Sequence, residues 1–68
     1  MSASDTGDQI RAARVRAGLT QQQLAELSGV RQPNIAAYEG GHRSPSVAML
    51  KRLLEAALGA PAHAYLLS

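Results

Sequence analysis

The side chains best equipped for recognition in this sequence fall between Gln21 and Arg43. Gln21, Arg31, Gln32 and Asn34 lie within that stretch, and His42 and Arg43 close it. An amide donates and accepts at once, and a guanidinium presents a rigid fork of donors. Such groups recognise flat polar edges and anions. Groups that make or break bonds are absent or scattered. The chain has no cysteine, which removes disulfides and cysteine-ligated metals. His42 and His63 have no partners at metal-ligand spacing. Asp5, Asp8, Glu26, Glu39 and Glu55 fall on separate expected helices or the amino-terminal tail, and no Ser/His/Asp arrangement is present. Gly40-Gly41 is a lone pair of glycines, not a phosphate-binding fingerprint. No enzyme, metal or cofactor is expected.

The elements that position these groups come from a small chain. Its 68 residues are 46% hydrophobic and carry a formal charge of +2. That length supports one domain with one small core. Phe and Trp are absent, so Leu, Ile, Val and Ala must build the core, with Tyr38 and Tyr65 as the aromatic residues. The abundance of Ala, Leu, Gln and Arg favours helix. The positive charge is compatible with a nucleic-acid partner but too small to argue for one alone. No apolar run approaches the roughly 18 residues needed to span a membrane. A soluble, cytoplasmic protein without a membrane partner is expected.

Residues 1 to 5 read as a flexible amino-terminal segment and 6 to 68 as one domain. Thr6-Gly7-Asp8-Gln9 has capping-box spacing and predicts a first helix over about 6 to 17, with Ile10, Ala13 and Ala17 inward and Gly18 ending it. Thr20-Gln21-Gln22-Gln23 repeats that signature and starts a second helix, which Gly29 closes. A third helix spans about 32 to 39, since Pro33 in a first turn forfeits no intrahelical bond. Ser46 caps a fourth helix, with Val47, Leu50, Leu54 and Leu58 at helical spacing and Gly59 stopping it. Pro61 opens a short fifth helix carrying Tyr65, Leu66 and Leu67. The fold expected is all-α and compact, with five helices.

Helices two and three are separated by only a few residues around Gly29, so they must cross steeply. That is a helix-turn-helix over about residues 20 to 39, its axes at about 90 to 120°. Leu24, Val30, Ile35 and Tyr38 supply inward anchors, and Ala25 is small where the helices would cross. With Ile35 inward, steps of about 100° per residue turn Pro33, Ala36, Ala37 and Gly40 outward and leave Gln32 and Asn34 on the flanks. Arg14 lies four residues after Ile10, and Glu39 four after Ile35. Both charges therefore point inward, which is costly unless they meet.

From Ile10 to Leu67 the chain resembles the Cro and phage-repressor type of helix-turn-helix domain, the XRE family. The resemblance rests on Ile10 and Arg14, Gly18-Leu19-Thr20-Gln21, Leu24-Ala25, Gly29-Val30, Ile35, Tyr38-Glu39, Gly41, Pro45-Ser46, Leu50, Leu53 and Leu58-Gly59. It implies a repressor-like DNA-binding domain whose third helix enters the major groove of double-stranded DNA. It also implies a structural ion pair between Arg14 and Glu39. The family's base-reading positions fall on Gln32, Pro33, Ala36 and Ala37, with Arg31 just before them. Gln32 alone of these keeps an amide suited to adenine, and the alanines offer only methyl contact to thymine. Direct readout should thus be sparser than in relatives with a polar recognition helix.

Phosphate contacts are expected from Thr20 and Gln21 at the start of helix two, from Asn34, and from His42 and Arg43 in the following loop. They would position the protein without specifying sequence. So small a charge favours a homodimer reading an inverted repeat, its half-sites about one helical turn apart. The last helix could make that contact, or simply cover the core. A small prokaryotic or phage-type transcriptional regulator, acting as a repressor, is the leading expectation, with an antitoxin-like autoregulator as a variant. No small-molecule ligand is evident. A reading of a different class is a protein-interaction module, kept open by the apolar outward face of Pro33, Ala36 and Ala37.

Overall fold

The computed structural model describes residues 3–59. They form α1 (Ala3–Arg16), α2 (Gln21–Ser28), α3 (Gln32–Glu39) and α4 (Val47–Leu58), with no strand among the described residues. The fold is all-α. Four helices are seen, and the expected fifth, with Tyr65, Leu66 and Leu67, lies outside the described residues.

Local sequence explains most helix boundaries. Thr20 is extended, its hydroxyl accepts from the Gln23 N–H at 3.1 Å, and Gln23 Oε1 accepts from the Thr20 N–H at 2.8 Å. This reciprocal box satisfies two donors that a helix start leaves without partners. Ser46 caps α4 by accepting from the Met49 N–H at 3.1 Å. Gly29 turns the chain between α2 and α3 at φ +74°, a region costly for residues with a side chain. After α3, the His42 N–H donates to Ala37 O at 2.9 Å and the Gly41 N–H to Tyr38 O at 3.2 Å. That pairing meets the carbonyls of Ala37 and Tyr38, two of those left open at the helix end.

Helix α1 departs from expectation. It begins at Ala3, a turn ahead of the expected cap at Thr6. Asp5 sits in its first turn, where a negative charge favours the helix dipole. A T-x-x-Q sequence permits a start but does not compel one.

Each helix contributes one large, fully buried side chain: Ile10, Leu24, Ile35 and Leu53. Leu19, Ala25, Val30, Tyr38 and Ala57 complete the core. Burying side chains of this size stabilises by about 1.5–3 kcal/mol each. Helix α1 packs on α3 and α4, and α2 packs on the same two. At the α1–α3 crossing Gly7 is buried, and a Cβ there would overlap the carbonyl oxygen of Tyr38. The missing side chain lets α1 lie directly on the end of α3.

Helix α4 faces the core differently from the expected stripe. Leu53 and Ala57 are buried, with Met49, Leu50 and Ala56 packed against them. Val47 and Leu58 are 84% and 73% exposed. The helix carries two overlapping apolar stripes, and packing against α1 and α2 selects between them.

Candidate nucleic-acid interface

The site is built from the ends of α2 and α3 and from the face of α1 that holds them. Arg31 occupies the cap position of α3, but its side chain makes no capping hydrogen bond and is exposed. Pro33 lies in the first turn of α3 and is exposed. Ile35, Tyr38 and Glu39 turn inward. Gln32, Asn34, Ala36 and Ala37 are half-buried, so the two alanines are less outward than the helical wheel implies.

Glu39 is the polar centre of the assembly, with its side chain 1% exposed. Arg14 grips it with two hydrogen bonds, Nε to Oε2 at 2.8 Å and Nη2 to Oε1 at 2.9 Å. The third guanidinium nitrogen, Nη1, donates to Leu19 O at 2.9 Å. One arginine thus joins α1, the α1–α2 connection and the end of α3. Arg11 adds a longer contact, Nε to Oε1 at 3.4 Å, and donates from Nη2 to Glu39 O at 3.1 Å. Gln21 Nε2 also donates to Oε1, at 3.2 Å. Among the described residues no buried side-chain polar atom lacks a partner.

The charges follow this geometry. Burial pushes the Glu39 carboxyl up, but hydrogen bonds from Arg14 and Gln21, the charge of Arg14 and the Arg11 contact together hold it below its ordinary value. The hydrogen bond to Glu39 raises the Arg14 guanidinium further, against the opposing effect of its own burial. Both groups are ionised at neutral pH.

The network continues outward to the expected contact residues. Gln32 Nε2 donates to Gln21 Oε1 at 2.8 Å, so a continuous chain runs from Glu39 through Gln21 to Gln32. Gln32 retains a second N–H and its carbonyl oxygen for an external partner. Thr20 spends its hydroxyl acceptor and its backbone N–H on the capping box, and its O–H hydrogen can still donate. In the first turn of α2, the N–H groups of Gln21 and Gln22 have no intrahelical acceptor. His42 and Arg43 are exposed in the loop after α3. Their backbone N–H groups both turn back to Ala37 O.

Sequence reasoning overlooked Arg11 and Gly7. Arg11 lies three residues before Arg14, a spacing that puts both on one helix face. An isolated glycine inside a helical pattern costs about 1 kcal/mol against alanine, which draws attention to the position. Each signal marks the residue but not its partner, which lies 28 or more residues along the chain. Among the described residues, no three His, Asp or Glu side chains gather as a metal site, and no helix is long and apolar enough to cross a membrane.

A family model described as helix-turn-helix matches residues 10–57. No curated protein and no solved structure matches the chain.

Proposed function

The chain belongs to the Cro and phage-repressor type of helix-turn-helix family, and on that premise we propose that it is a sequence-specific transcriptional repressor inserting α3 into the DNA major groove. The observation that carries this reading is the Gln21–Gln32 pair at the joined starts of α2 and α3. With one N–H turned to Gln21, the Gln32 amide keeps one donor and one acceptor. Those match N7 and N6 on the major-groove edge of adenine.

Arg31 is the candidate for a guanine edge or a phosphate, and Pro33, Ala36 and Ala37 for apolar contact with thymine methyls. Thr20, Gln21, Asn34, His42 and Arg43 are the candidates for phosphate contact. With two hydrogen-bonding side chains reading bases, DNA shape and half-site spacing would carry much of the specificity. A homodimer on an inverted repeat, in the cytoplasm of a prokaryotic cell, is the assembly this reading favours.

Selection from a random-sequence duplex library at two salt concentrations tests it. An inverted repeat with A- and T-rich half-sites, bound less tightly at the higher salt, is expected. Failure to enrich any sequence would contradict base reading. Binding to a protein surface that is insensitive to salt would favour an interaction module instead.

A further inference from the structure

Arg11 is 52% exposed in its side chain, yet it reaches the most buried carboxylate of the described residues. Its Nη2 donates to Glu39 O, the carbonyl of the last residue of α3. Helix C-termini leave such carbonyls without intrahelical donors, and a cation there also suits the helix dipole. Its Nε approaches Oε1, the same oxygen that accepts from Gln21. Gly7 lies one turn earlier on α1, where its missing side chain seats α1 on Tyr38 and Glu39.

We propose that Arg11 is a positioning residue for base reading. By capping the end of α3 and sharing the Glu39 oxygen that orients Gln21, it fixes how Gln32 meets the groove. This inference rests on the DNA-reading function proposed above. Arg14 is the more enclosed partner of Glu39, its side chain 16% exposed, whereas Arg11 lies at the surface and reaches Glu39 by two contacts.

The test uses the full chain and its Arg11→Met and Arg11→Lys variants. Met keeps the apolar stem and loses every donor, whereas Lys keeps the charge without the fork. Each is titrated with the duplex selected by the unaltered protein and with single-base changes in its half-site. Arg11→Met should reduce discrimination at the base pair assigned to Gln32 by about two- to thirtyfold, the range for residues that act on a site without touching its ligand. The slope of affinity against salt should stay unchanged, and Arg11→Lys should restore only part of the discrimination. In the free protein, amide exchange at Gly40 and Gly41 should quicken in Arg11→Met, because the end of α3 is loosened.

Three results would overturn the proposal. A uniform loss of affinity with the salt slope smaller by about 0.9 would make Arg11 a phosphate contact. A lower melting temperature with base discrimination and amide exchange unchanged would make it a general stabiliser. If the unaltered protein selects no sequence, base reading itself fails first, and that outcome is seen before any variant is compared.

Discussion

At the scale of single residues, Glu39 shows how a costly burial becomes a structural asset. A carboxylate removed from water is destabilising unless its lone pairs are met, and here Arg14, Arg11 and Gln21 meet them. Arg14→Ala should destabilise the fold by about 2–4 kcal/mol, below the upper range for a broken buried pair because Arg11 and Gln21 remain. Chemical denaturation would measure this, and a loss within error of zero would mean the pair is wet in solution. The Glu39 carboxyl sits below its ordinary value, so the stabilisation it contributes is complete above its unfolded value, about 4.3. That stabilisation is lost as pH falls through the depressed folded value. Glu39→Gln should be less stable at neutral pH and lose less on acidification. Parallel acid-unfolding curves for the two proteins would sink this assignment.

At the scale of elements, close approach matters more than helix propensity. Alanine is favoured over glycine by about 1 kcal/mol within a helix, yet Gly7→Ala places a methyl against the carbonyl oxygen of Tyr38. A net destabilisation of about 1–3 kcal/mol is expected; a rise in melting temperature would show that α1 can shift freely. On α4, Leu53→Ala should cost about 2–5 kcal/mol, whereas Leu58→Ala, at an exposed position, should fall within about 0.5 kcal/mol. Equal effects would contradict the observed orientation of that helix.

These elements also mark what is legible in the sequence. Thr20, Gly29 and Ser46 act through neighbours a few residues away, so their roles can be read locally. The inward aim of Arg14 and Glu39 follows from their four-residue spacing to Ile10 and Ile35. The facing of α4 cannot be read this way, because two apolar stripes satisfy the same period and only α1 and α2 choose between them. Arg11 and Gly7 act across 28 and more residues of chain, a distance that periodicity does not reach. The T-x-x-Q at Thr6 misleads for the opposite reason: a local signal is overruled when the preceding residues also accept helix.

At the scale of the whole molecule, a net charge of +2 over 68 residues leaves little nonspecific attraction to DNA. Affinity must come from a few placed contacts. Arg43→Ala should weaken binding about equally for all sequences and reduce the salt slope by about 0.9. A change in sequence preference would instead assign Arg43 to base reading. The joined starts of α2 and α3 are proposed as the face that meets DNA. The most direct test of this proposal is amide chemical-shift mapping of the protein titrated with its selected duplex. The largest changes should fall on Gln21, Gln22, Arg31, Gln32 and residues 34–37, with Val15 and Leu58 little affected. Shifts concentrated on Val15 and the end of α4, with Gln32 and its neighbours unmoved, would contradict it.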